Sequence, residues 1–303
     1  MRILLTGTSG QVGGALISRL QGFGLVMAPD EVEFNLAQPV EISGALDRLK
    51  PDLIINPAAY TAVDKAEDEP ELALRVNGEA PAVIARWAAG HNVPLIHFST
   101  DYVFNGAGDR AWREDDAVQP LSVYGSSKLA AENAVRAAGG TSLVIRTSWV
   151  YAAQGTNFLR AISRLARERK ELRIVADQIG APTSAAVIAD GVTEMLSPGL
   201  DKFRTRCGEA NGLVHLVASG EISWHGFALA IVEGLKGRGI ALAVEQVRPI
   251  TTAEYPTRAK RPHNSRLDLS RLHKIFGITT LHWKDALAPE LDALARELSA
   301  SFA

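Results

Sequence analysis

Cysteine is almost absent: Cys207 is the only one in 303 residues. An intrachain disulfide is therefore excluded, and so is a zinc site built from several thiolates. Cys207 reads as a structural thiol. Long apolar runs are missing as well, since no stretch approaches the ~20 residues that span a bilayer. The opening MRILLTGTSG has too short an apolar run for a secretory signal and breaks off in a glycine-rich turn, so a cytoplasmic location is expected. Charge of one sign is not in excess. Lys and Arg total 32 against 34 Asp and Glu, a formal charge of -2, which gives no electrostatic case for nucleic acid or an anionic membrane as partner. Hydrophobic residues make up 47% of the chain, enough for a sizeable core in one large domain or two.

Short apolar runs alternate with amphipathic ones through the first half. Strands are expected at 2–6, 25–28, 52–56, 94–99 and 142–150. Helices are expected at 11–21, 39–50, 66–90 (limited by Pro70 and Pro81) and 121–138. This rhythm predicts parallel βαβ units in an α/β, doubly wound Rossmann-type sheet over 1–150. A smaller substrate-binding domain is expected over 151–303. There, helices are expected at 157–170, 184–196, 223–236 and 283–298, with a strand at 171–175. A strand near 213–218 is expected to return to the main sheet. The segment 248–270, rich in Pro, Arg and Thr, shows little periodicity.

Three stretches carry chemistry. TGTSGQVGGAL places Gly7, Gly10 and Gly13 between the first strand and the first helix. A dinucleotide's pyrophosphate needs that geometry, with backbone amides at a helix N-terminus and no Cβ in the way. Asp30, at the end of the second strand, is placed to accept hydrogen bonds from ribose hydroxyls. That leans towards NADH, with NADPH still open because Arg19 or a more distant residue could hold a 2′-phosphate. Ala58 and Ala59 would let a cofactor lie across the third strand's end. HFSTDYVFNG follows the fourth strand and brings Ser99 and Thr100 to the carboxyl edge as candidate donors to a substrate carbonyl. In VYGSSKLAAE, Tyr124 and Lys128 stand one helical turn apart on one face. A neighbouring ammonium would lower the phenol's pKa and suit it to proton transfer.

Together with NPAAYTAVDKAEDEPE, RTSWVYA, DQIGAPTSA, HLVASG and YPTRAKRPHNSRLD, these stretches resemble the extended short-chain dehydrogenase/reductase family. Within it they are most similar to the dTDP-4-dehydrorhamnose reductase branch, over almost the whole chain. The resemblance implies NADH or NADPH as cofactor and a dTDP-linked nucleotide sugar as substrate. It also implies a catalytic set of Thr100, Tyr124 and Lys128, with Asp101 and Trp149 touching the sugar. The cofactor-contacting positions it implies are Gly10, Gln11, Val12, Asp30, Asn35, Leu36, Ala58, Ala59 and Tyr60. Arg258, Lys260, Arg261 and Arg266 concentrate in the late segment, and Arg258 and Arg261 are expected at the substrate's diphosphate. Gln178, Thr183 and Asn157 are expected to shape the same cleft.

Some relatives of this kind are dimers bridged by magnesium through glutamates at the first helix and near the GAPT segment. Ala15 and Ala186 stand at those positions here, and alanine cannot ligate a hard cation, so no metal site is expected. A homodimer without metal stays open. Two other functions also stay open. One is a non-catalytic regulatory subunit of a methionine adenosyltransferase. The other is a sugar-nucleotide epimerase or dehydratase, which recycles its cofactor and usually wants a second acid–base group beside the tyrosine.

Overall fold

The computed structural model describes residues 1–300. Its frame is a six-stranded, wholly parallel sheet. The strands are β1 (Arg2–Leu5), β2 (Leu25–Met27), β3 (Leu53–Asn56), β4 (Leu95–Thr100), β5 (Ser142–Thr147) and β10 (Leu213–His215), in the spatial order β10-β5-β4-β3-β1-β2. The inner strands read as continuous apolar runs because both faces are covered. One face carries α1 (Gln11–Leu20) and α8 (Ala185–Leu196), which pack on each other, and they bury Leu16, Leu20, Ile188 and Val192 against Ile3, Leu5 and Ile96. The other face carries α2 (Pro39–Leu49) and α5 (Ala80–Gly90), with Ile42, Leu46 and Ile84 against Leu4 and Ile54. α6 (Val123–Ala138) adds Val135 to that layer.

The strand near 213–218 does return to the sheet, pairing Leu213 with Val144 and His215 with Arg146. The long helix expected over 66–90 is instead broken. It comprises α3 (Val63–Ala66), which starts earlier, α4 (Pro70–Leu74), a π-helical segment Arg75–Glu79, and α5, with Pro70 and Pro81 in the first turns where proline lacks no needed bond.

A second core joins α7 (Phe158–Glu168), α10 (Trp224–Lys236) and α11 (Trp283–Ala300). Tyr151, Leu159, Phe227, Ile231, Trp283 and Leu291 are buried there. A parallel pair, β7 (Glu171–Val175) with β12 (Gln246–Ile250), flanks this core. Among the elements without a sequence signal are β12 and α9 (Leu200–Glu209). No described helix is long and apolar enough to cross a membrane.

Candidate active site

Strand order reverses between β1 and β3, and there the carboxyl ends of the sheet open a cleft of about 760 Å³. The glycine loop forms its floor. Gly7 has φ +59, and a Cβ on it would sit 2.8 Å from the Cα of Ala58, so the chain can turn this close to the segment after β3 only because this residue is glycine. A Cβ on Gly13 would lie 2.2 Å from the Gly7 carbonyl oxygen. Gly10 caps α1 without a side chain, and the first turn of α1 has no acidic residue. Its amides are therefore left to an anion. Gln11 Oε1 is buried without a protein partner beside them. These features fit the diphosphate of a dinucleotide.

Val12, Asp30, Leu36 and Ala59 line the same cleft. Asp30 is exposed, and its Oδ1 accepts from the amides of Val32 and Glu33, which fixes the loop and leaves Oδ2 facing out. Arg19 is drawn to Asp190 at 2.5 Å and is not at hand for a ribose phosphate. Asn35 does not reach the cleft: its side chain accepts from the Ala37 amide. Tyr60 does not line the cleft: its hydroxyl donates to Glu69 at 2.7 Å. Its N–H and C=O are both held by Asn77, which also donates to Ser127 Oγ at 3.1 Å. Asn77 is thus a buried clamp, and the π-helical turn carries it inward.

The opposite wall carries Thr100, Asp101, Tyr102, Tyr124 and Lys128. Thr100 ends β4, and its hydroxyl accepts from the Tyr102 amide and donates to Asp101 Oδ1 at 3.1 Å. Ser122 caps α6 by accepting from the Gly125 amide, which starts the helix where Tyr124 meets the cleft. Gly125 is required here, since a Cβ would lie 2.3 Å from the Tyr102 carbonyl oxygen. Tyr102 and Tyr124 pack edge to face at 5.6 Å.

Burial decides the electrostatics. It pushes the Tyr124 phenol up to about 12, helped by the Asp101 carboxylate, and an interaction with the Thr100 hydroxyl opposes this. The expected lowering of that phenol by the Lys128 ammonium is therefore not found: burial and the Asp101 carboxylate dominate, and only the Thr100 hydroxyl opposes them. Burial also pulls Lys128 down to about 8, against the opposing field of Glu132. Asp101 is lifted to about 6 by burial, with Ser265 and Thr100 opposing, and its Oδ2 has no protein partner. Ser99 is not a substrate donor here, because its hydroxyl donates to Glu132 at 2.5 Å.

The far end of the cleft is aromatic. Trp149 adopts φ +49, and its ring stacks on Trp224 with centroids 3.5 Å apart and planes 8° from parallel. Gly180 makes room, since a Cβ would come within 2.7 Å of the Trp149 ring. Trp224 opens α10, far along the chain, and no local pattern in the sequence singled it out. Asn157 lines the cleft, but its amide caps α7 and holds the carbonyls of Ala152 and Gln154. Gln178 donates to Thr252, and Thr183 to the Ala181 carbonyl.

Arg258 and Arg261, expected at a diphosphate, are engaged elsewhere. Arg261 pairs with Asp64 at 2.6 Å and Arg258 with Asp68 at 2.6 Å. Neither lines the cleft. Carboxylates close by in the fold have claimed both guanidinium groups, and local sequence could not show that.

The comparisons with known proteins agree with this geometry. A family model described as the RmlD substrate binding domain matches residues 1–296. A dTDP-4-dehydrorhamnose reductase from Burkholderia thailandensis is 44% identical over 95% of this chain and 97% of its own. The crystal structure of a dTDP-4-dehydrorhamnose reductase from Clostridium acetobutylicum is 34% identical and superposes with a TM-score of 0.88, covering 97% of this chain and 99% of the other. That of a Bacillus anthracis dTDP-4-dehydrorhamnose reductase in complex with NADP is 29% identical, with a TM-score of 0.86 and coverage of 96% and 98%. With the family model spanning almost its whole length, this chain belongs to the RmlD substrate binding domain family.

Proposed function

We propose that the protein reduces the 4-keto group of dTDP-4-dehydro-6-deoxy-L-mannose to give dTDP-L-rhamnose, using NADH or NADPH. The single observation that carries this reading is the meeting of Thr100, Tyr124 and Lys128 in one cleft with the glycine cradle of α1. The relatives' names supply the sugar. A reduced nicotinamide cofactor in this cleft would supply the hydride for carbon 4 of the sugar, and the chain's own groups do the rest. Gly7, Gly10, Gln11, Val12 and Gly13 would hold its diphosphate, Asp30 and Leu36 would border its adenosine end, and Ala58 and Ala59 would let it cross the end of β3.

Tyr124 then gives its proton to the keto oxygen. Its phenol, at about 12, is fully protonated near neutral pH, and the alkoxide forming on carbon 4 is the stronger base. Thr100 orients the same oxygen by turning its hydroxyl proton from Asp101 to the ketone. Lys128, at about 8, is still largely an ammonium at neutral pH, and it holds the nicotinamide ribose and favours the phenolate that Tyr124 becomes. Asp101 and Trp149 border the sugar, with Trp224 behind Trp149. The cofactor half and the sugar half of the work then fall to 1–150 and 151–303, with β10 and α8 crossing back to the first.

Tyr124→Phe tests the assignment. Turnover with the dTDP-linked keto sugar is expected to fall about 10²–10⁴-fold, while cofactor affinity, read by quenching of protein fluorescence, stays near that of the parent. A Phe variant with undiminished turnover contradicts it. Stoichiometric loss of reduced cofactor separates reduction from epimerisation or dehydration.

A further inference from the structure

Behind the catalytic face of α6 lies a buried ion pair that the reaction as described leaves without a role. Glu132 follows Lys128 by one helical turn on the same stripe, and both are buried. Arg146 of β5 grips Glu132 with two parallel bonds, Nε to Oε1 at 2.9 Å and Nη2 to Oε2 at 2.6 Å. Ser99 donates to Oε1 at 2.5 Å, and the next residue along β4 is Thr100. Arg146 is fixed further by the ring of Phe104, 4.9 Å from its guanidinium carbon. Withdrawing two charges from water for such a pair is costly, and apolar side chains of the same size often serve stability as well or better. Its value is then to be sought in its charge.

We propose that Glu132 is a positioning residue for the reduction: its carboxylate, locked by Arg146 and tied by Ser99 to the strand end bearing Thr100, keeps Lys128 an ammonium and keeps it in place. This rests on the reading of Lys128 given above. Glu132 is the one acidic residue on the helix that carries that ammonium, and it is buried with it. Tyr124 on the same helix is neutral. His97 of β4 is held neutral by burial and by the charge of Lys128 itself. Its tautomer follows from its neighbours: Thr6 donates to Asn56 Oδ1, so Asn56 Nδ2 faces His97 Nδ1 as donor and the proton sits on Nε2. Across 63–90, Asn77 is the only buried polar side chain, and it carries no charge. Asp101 and Tyr102, from the turn after β4, lie on the cleft side. Beyond Arg146 stand Glu114, whose backbone carbonyl accepts from Arg146 Nη1, and His215, kept neutral by burial.

The test is the pH profile of kcat. In the parent, the alkaline limb follows loss of the Lys128 proton. In Glu132→Gln the ammonium loses its supporting charge and faces Arg146 alone, so the limb is expected to move down by about one pH unit, with turnover recovering at lower pH. Glu132→Asp keeps the charge and is expected to keep the limb near the parental position. The double variant Glu132→Gln, Arg146→Met leaves no lone buried charge, so it guards against a folding failure of the single variant, and its limb is expected below the parental one by less. A merely structural pair would lower turnover without moving any limb. Limbs of Glu132→Gln and the double variant at the parental pH, or a shift in Glu132→Asp as large as in Glu132→Gln, overturn the proposal. Lys128→Met is the control: parental turnover in that variant would refute the reading of Lys128 itself, whereas a dead Lys128→Met with unmoved limbs refutes only the role of Glu132.

Discussion

The phenol of Tyr124 and the carboxyl of Asp101 are two acids displaced in the same direction by the same cause, removal from water. For Tyr124 this favours donation, because the phenol arrives at the ketone protonated. For Asp101 it is a cost. Its folded pKa of about 6 lies above the ordinary 3.8. The stability linked to its proton is fully present below pH 4 and is lost as pH rises through 6. Asp101→Asn is therefore expected to be more stable than the parent at pH 8 by about 3 kcal/mol and equal to it below pH 4, while turnover drops because Thr100 loses its charged partner. Urea unfolding at the two pH values checks this, and equal stability at pH 8 contradicts it. The residue types at this wall were legible in the sequence. Their electrostatics were not, since the diversion of Ser99 to Glu132 joins β4 to α6 across the fold and the burial of Tyr124 is set by the folded cleft rather than by its own helix.

At the scale of elements, the glycine loop with α1 is the most completely readable part. Its spacing, its place after β1 and its uncapped helix all follow from one need, close approach of an anion to backbone amides. Gly13→Ala puts a methyl 2.2 Å from the Gly7 oxygen, so the loop must shift. Affinity for reduced cofactor, measured by fluorescence titration, is expected to fall at least about tenfold, and an unchanged Kd would show that the cradle is not where the cofactor binds. α9 and β12 escaped the sequence for physical reasons. α9 buries only Phe203 and Cys207 among many charges, too thin a stripe to show a helical period. β12 holds Pro249 and pairs on one side only, where proline's missing donor does no harm. The π-helical turn at Asn77 likewise has no periodic signature, yet it aims the one polar side chain buried in that stretch.

Across the whole molecule, the segment after β12 ties the second lobe to the first. The Asp64 carboxylate accepts from Arg261 at 2.6 Å and from the Ala259 amide at 3.1 Å, and the guanidinium bond holds it below the usual carboxylate range. Asp64 is partly solvated, so a double-mutant cycle of Asp64→Ala with Arg261→Ala is expected to show a coupling of no more than about 1 kcal/mol in unfolding. The largely exposed Arg258–Asp68 pair should give close to none. Because Arg261 is held by Asp64 outside the cleft, Arg261→Ala is expected to leave KM for the nucleotide sugar near that of the parent, and a large rise would mean that the guanidinium leaves Asp64 for the diphosphate. The parallel sheet and the return of a strand near 213–218 were expected from the βαβ rhythm. This bridge was not, because it joins residues almost two hundred positions apart (|i−j| of 197).

Hydride and the Tyr124 proton are proposed to converge on one ketone, and reduction of dTDP-4-dehydro-6-deoxy-L-mannose with NADH or NADPH deuterated at the transferable position of the nicotinamide, with the product read by NMR, tests this. One cofactor is expected to be oxidised per sugar, with deuterium at carbon 4 of the product. Deuterium at any other carbon, or a product formed without net oxidation of cofactor, would contradict it.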